Sequence, residues 1–134
     1  MGRNNESNSI NYMKLVLDYL YAYYENDKVD YLLSIVHIYP VTIEEGMDFY
    51  SCFENSWSKG KLDKILLIVP MPYDLKSSQI FIHEFKHGLD LLPYLNKEIG
   101  NLIDDQIDKF ERRARTEEKS FKTYLVKKLS NKKH

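Results

Sequence analysis

His83, Glu84 and His87 are the residues of this chain best spaced to do chemistry together. They lie within Ser77-Ser78-Gln79-Ile80-Phe81-Ile82-His83-Glu84-Phe85-Lys86-His87-Gly88-Leu89-Asp90-Leu91-Leu92. On a helix, residues four apart share a face, one turn above the other. Two imidazoles so placed can hold one Zn²⁺ through bonds of about 2.0–2.1 Å. Glu84 follows the first histidine and aims beside the metal, where it can take a proton from a water on the ion. Ile82, Phe85, Leu89 and Leu92 recur at steps of three and four, an apolar stripe offset from the histidine face. A chance match to this pattern is expected in roughly one chain in a hundred, so the helical context matters. The bland alternative is a surface helix with two solvated histidines and a salt-bridging glutamate.

A third ligand must come from elsewhere, because a catalytic zinc takes three protein ligands and one open position. Asp90 shares the histidine face but lies about 10 Å along the axis from His83, at 1.5 Å per residue. It is better suited to accept an imidazole N–H than to bind the ion, and an ordinary exposed helix carboxylate is the equal alternative. Glu111 is the preferred candidate. It flanks an expected buried pair, Phe110 and Ala114, and the small Ala114 lets two helices approach. The competing reading is a surface Glu111 paired with Arg115 at i,i+4. Asp104, Asp105, Asp108 and Glu118 are the fallbacks. His37 is a conceivable ligand, but a satisfied strand histidine is the simpler account.

The elements that must position these groups follow from periodicity and turn chemistry. Ser9 can cap a helix to about Asn26, with Ile10, Met13, Leu17, Leu20 and Tyr24 on one face. Tyr31 to Tyr39 is rich in β-branched and aromatic residues, stops at Pro40, and reads as a strand. Val41 to Met47 is a connection containing Gly46. Asp48 to Trp57 reads as an edge strand, and Leu62 to Val69 as a more buried one, joined by a turn at Lys59-Gly60. Pro70 and Pro72 close the sheet, Asp74 or Ser77 caps the motif helix, and Pro93 ends it. A connection with Gly100 leads to a long helix from about Asn101 to Leu129. Its stripe is Ile103, Ile107, Phe110, Ala114, Phe121 and Leu125, broken at Glu117. The fold class expected is α+β: an N-terminal helix, a small, mainly antiparallel sheet of about three strands, the motif helix and a long C-terminal helix.

Bulk properties narrow the field. At 134 residues the chain is one domain, spanning 1–134 with a polar tail over 1–8. Apolar residues make up 43% and charged residues 29%, the balance of a globular protein. No run reaches the length of a membrane span, and the polar start lacks a signal-peptide core. Cys52 is alone, which excludes an intrachain disulfide and a thiolate zinc site and fits a reducing, cytoplasmic setting. The net charge of −1 argues against nucleic acid as a partner, and lysines at a helix C-terminus are explained by the helix dipole. The eleven tyrosines read as amphipathic core edge.

His83-Glu84-x-x-His87 followed by a Glu111-x-x-Ala114 helix resembles the zincin metallopeptidases of the gluzincin type. Among small members the chain is similar to the ImmA/IrrE-like peptidases of phages and mobile elements, over about residues 62 to 118. Asp90 and the later helix also resemble the mitochondrial ATP synthase-assembly metallopeptidases, whose Cys-rich segments are absent here. Within these 134 residues no helix-turn-helix segment is expected, a departure from the pattern of the ImmA/IrrE-like peptidases. The resemblance implies a minimal zincin fold and a zinc peptidase with Zn²⁺ as cofactor and a protein or peptide as substrate. His83, His87 and Glu111 would be ligands and Glu84 the general base. Tyr94, Tyr124 and Arg115 are available as oxyanion donors. An edge strand at 48–57 can pair with an extended substrate. Lys86 is expected to be exposed and neutral to the chemistry, and the long C-terminal helix to cover the cleft. The alternative function is a catalytically silent zincin-like domain that binds a regulatory protein partner; the presence of Glu84 favours catalysis.

Overall fold

The structure is a computed structural model that describes residues 10–40, 52–58, 61–97 and 102–132, the segment 52–58 by its backbone. It is α+β, with four α-helices and a small sheet among the described residues. In chain order these are α1 (Tyr12–Tyr23), α2 (Asn26–Ile35), β1 (Val36–Tyr39), β2 (Cys52–Ser58), β3 (Lys61–Pro70), α3 (Leu75–Leu91) and α4 (Leu102–Lys132). A 3-10 turn, Leu92–Tyr94, follows α3. The expected Ser9 cap, the connection 41–47 and the turn at 59–60 lie outside the described residues.

The side chain of Asn11 caps α1, accepting from the Lys14 amide at 3.0 Å. The helix buries Leu15, Val16, Tyr19 and Leu20. That face is rotated from the expected one, and Ile10 is exposed. Apolar residues run most of the way round this helix, so spacing alone could not choose the face; packing against α3 and α4 did.

The strand expected over Tyr31 to Tyr39 is a correction. Most of it is the second half of α2, and only Val36–Tyr39 is extended. Val29 and Leu32, three residues apart, are fully buried, while Asp30 and Tyr31 face outward. The segment's β-branched and aromatic character yields to a helical anchor on α3, since strand propensity expresses packing context more than backbone preference.

The sheet order is β1-β3-β2. β2 and β3 form the expected antiparallel hairpin, from Cys52 opposite Ile68 to Ser58 opposite Lys61, with an irregularity between Ser56 and Trp57. β1 pairs with β3 in parallel, Val36 opposite Leu67 through Tyr39 opposite Pro70. The sheet is therefore mixed rather than mainly antiparallel. A parallel partner is reached by a long return of chain, here one that contains β2, and no local turn signal announces it. β3 is central, and Ile65, Leu67 and Val69 alternate inward toward α3.

Asp74 caps α3, accepting from the Ser77 amide at 2.9 Å, while Ser77 Oγ accepts from the Asp74 amide at 3.1 Å. This reciprocal box fixes where the helix starts. Phe81, Ile82, Phe85 and Leu89 then join Leu67, Val69, Phe121 and Leu125 in the main core. A smaller cluster joins Leu62, Ile65, Leu91 and Phe110. After α3 the chain is pinned back to the start of β3. Asn96, in the left-handed region at φ 66°, donates to the Leu62 carbonyl, and the Leu62 amide donates to Lys97 at 3.2 Å. α4 packs along α3. α4 buries Phe110, Ala114, Phe121 and Leu125, whereas Ile107 is exposed. Among the described residues, no helix is long and apolar enough to cross a membrane.

Candidate metal centre

The two helices meet where α3 presents its histidines and α4 presents Ala114. Ala114 is fully buried, and its lack of bulk lets the backbones approach. Glu111 and Glu118 bracket it at i−3 and i+4, so both lie on the same face of α4. His83 Nε2 and His87 Nε2 are 3.2 Å apart. One Glu111 oxygen lies 2.8 Å from His83 Nε2, and the other lies 3.1 Å from His87 Nε2. Two imidazole nitrogens and a carboxylate thus form a triangle. A tetrahedral Zn²⁺ with bonds of about 2.0–2.1 Å holds its ligand atoms roughly 3.3 Å apart. The triangle is close to that size, and its donors are the nitrogen and oxygen types that zinc accepts. The residues present therefore fit the ion.

Glu84 is nearly buried beside the triangle, with Oε2 3.7 Å from His83 Nε2. Donor atoms of His83, Glu84 and His87 all lie within 4.8 Å of one another. Glu118 does something different from Glu111. Its Oε1 lies 2.5 Å from His83 Nδ1, the ring nitrogen turned away from the triangle. A carboxylate there accepts a hydrogen bond from Nδ1–H, the arrangement that reserves Nε2 for a metal.

The electrostatics favour a cation. Burial works against charge on His83, but the hydrogen bond to Glu118 and the charges of Glu111, Glu118 and Glu84 outweigh it, and its pKa is raised. Burial and then the neighbouring His83 lower the pKa of His87. Burial drives the Glu84 carboxyl up to about 7; Glu111 and Glu118 add to this and His83 opposes it. Three carboxylates converge on two imidazoles, an excess of negative charge that a divalent ion would neutralise.

The other expected site residues are placed as follows. Asp90 Oδ1 faces Lys86 Nζ at 3.4 Å and Arg113 Nη1 at 3.9 Å, and its charge favours protonation of His87. Lys86 is not the exposed residue expected: it is mostly covered, paired to Asp90 and set over the Tyr24 ring at 5.2 Å. Arg115 Nε is 3.6 Å from Glu111 Oε1. Tyr94 packs on Phe110, and Tyr124 packs among Tyr19, Tyr23 and Phe121, so neither tyrosine shows a contact with the triangle. Asp108 is exposed, and the side chains of Asp104 and Asp105 lie outside the description. His37 is exposed on β1, opposite Ile68.

The contact of Glu118 with Nδ1 was not read from the sequence. The available signal was the polar break in the apolar stripe of α4. Glu117 and its neighbour Glu118 both have inner partners: Glu117 accepts the Tyr19 hydroxyl, and Glu118 meets His83. Compared with known proteins, the chain matches no family model, no curated protein and no solved structure.

Proposed function

We propose that the chain is a zinc-dependent peptidase that hydrolyses peptide bonds of a protein substrate. The observation that carries this reading is the triangle of His83 Nε2, His87 Nε2 and a Glu111 carboxylate, with the buried carboxyl of Glu84 beside it. His83, His87 and Glu111 would hold the metal, which when bound supplies Lewis acidity and brings the pKa of a water towards about 7. Glu84 accepts the proton of the attacking water and passes it to the leaving amine. In the metal-free site burial pushes its carboxyl up to about 7, and a bound cation would draw it back toward the carboxylate that a general base requires. Glu118 holds the His83 ring in one tautomer and one orientation. β2 is at the edge of the described sheet and can take an extended substrate segment as an added strand.

Metal content and cleavage of an unstructured protein such as reduced casein test this together. Wild type should carry about one zinc per chain, lost in His83→Ala and Glu111→Ala. Glu84→Gln should keep the zinc and lose cleavage. A wild type that binds no metal after zinc is added back would exclude the peptidase. Zinc bound in the ordinary way, with equal cleavage by wild type and Glu84→Gln, would exclude Glu84 as the base.

A further inference from the structure

Away from the metal centre, α1, α3 and α4 enclose a groove of about 880 Å³ walled by Tyr19, Tyr23, Tyr24 and Tyr124. It meets a second cavity of about 460 Å³ at Lys86, Glu117 and Ser120. Along the two, the cations are Lys86, Lys109, Arg112, Arg113, Lys127 and Lys128. Glu117 is the one carboxylate on the described lining, and it already accepts the Tyr19 hydroxyl. Lys86 and Arg113 share Asp90, whereas Lys109, Arg112, Lys127 and Lys128 have no ion pair among the described residues. The net charge of the chain, −1, conceals this separation of charge.

The lining cations of α4 fall in two groups, Lys109 to Arg113 and Lys127 to Lys128, roughly 21 Å apart at 1.5 Å per residue, with Glu117, Ser120 and Thr123 between them. That is too long for one nucleotide and suits a strand of several phosphates. The tyrosines supply what a polyanion of amino acids does not need: aromatic faces beside the cations. Tyr23 is 62% exposed, and Lys128 already sits over the Tyr124 ring at 5.5 Å. A positive groove interleaved with rings is the arrangement that holds unpaired bases by stacking and their phosphates by charge. A duplex keeps its base faces stacked on one another and has none to offer. We infer that this groove binds single-stranded nucleic acid, with phosphates along the cations of α4 and a base against Tyr23. The inference does not depend on the metal centre being catalytic.

Fluorescence anisotropy of the full chain with a labelled oligo(dT) of about twelve nucleotides tests it. Saturable binding should weaken roughly fifty-fold between about 50 and 200 mM salt if four phosphates are neutralised. Lys127→Glu with Lys128→Glu should weaken it at least about tenfold, and Tyr23→Ala about tenfold through lost stacking. These side chains are exposed, and an unchanged circular dichroism spectrum will show that the variants fold. Three results would each overturn the inference. The first is no saturable binding at low salt. The second is poly-glutamate matching oligo(dT), which would make the groove an acidic-peptide site. The third is equal binding of a duplex together with no effect of Tyr23→Ala, which would leave only unspecific surface charge.

Discussion

Glu111 and Glu118 stand seven residues apart on α4 and reach opposite nitrogens of one imidazole. Their chemistry should therefore separate. Glu111→Ala removes a proposed ligand, whereas Glu118→Gln only loosens the ring it orients. Removing such an orienting carboxylate typically lowers metal affinity about 10–100-fold. Zinc titration of Glu118→Gln against a competing chelator should show that drop with the stoichiometry intact. Protons compete at the same atoms. With its pKa raised, His83 contributes stability that is complete below its ordinary value of 6.5 and is lost as pH rises through the folded value. Glu84 acts in the same sense, complete below 4.5 and lost as pH rises through about 7. His87 is lowered, so its contribution is complete above 6.5 and is lost only as pH falls through its folded value. Above about pH 6.5 the two falling contributions remain, so the metal-free chain should lose stability as pH rises from about 6.5. Zinc binds deprotonated ligands, and the loaded chain should show the opposite slope. Thermal melts with and without chelator at rising pH will show whether the slopes cross.

At the scale of elements, α3 carries the histidines and is held from three sides. Its start is set by the Asp74–Ser77 box, its inner face by Phe81, Ile82, Phe85 and Leu89, and its far end by contact with α2. Gly88 belongs to the last of these. A Cβ there would lie 3.3 Å from Leu32 Cδ2 and 3.5 Å from Leu67 Cδ2. A glycine beside the second histidine, which looks like a weak point in a helix, is the place where α2 and β3 come close. Gly88→Leu should cost about 1–3 kcal/mol by overpacking and displace α2 from α3. Urea denaturation will measure the cost, and an unchanged midpoint would mean that α2 gives way freely. The motif helix, its cap and its proline stop were legible in the sequence because they rest on neighbours a few residues apart. α2 was not. Its residues satisfy a strand pattern as well as a helical one, and the choice was made by the buried seat of Val29 and Leu32.

The whole molecule is closed by α4, which runs 31 residues, about 46 Å at 1.5 Å per residue. Its second half is no detachable cover over a cleft. Phe121 and Leu125 sit in the main core with Leu67, Val69 and Phe85, and Tyr19 packs edge-on against Phe121 at 5.3 Å. Phe121→Ala should cost about 3–5 kcal/mol. Truncation after Ser120 should abolish cooperative unfolding rather than release an activity; a truncated chain that still melts cooperatively would restore the idea of a cover.

Local spacing determined much about this protein by itself. Histidines four apart share a helix face wherever that helix is placed. A capping aspartate and a stopping proline act within a turn, and the mostly apolar run of Leu62 to Val69, bounded by Gly60 and Pro70, reads as a buried strand. Glu111 was preferred as a partner because it flanks an alanine on the next apolar stripe. Tertiary structure decided what depends on distance through space. It paired β1 with β3 in parallel across the intervening β2, brought Glu111 to both Nε2 atoms, and turned Glu118 to the opposite nitrogen. It also gathered tyrosines from α1 and lysines from α4 into one groove. The physical reason is the same in each case. Periodicity states which residues share a face, but which faces meet is settled only when the core packs.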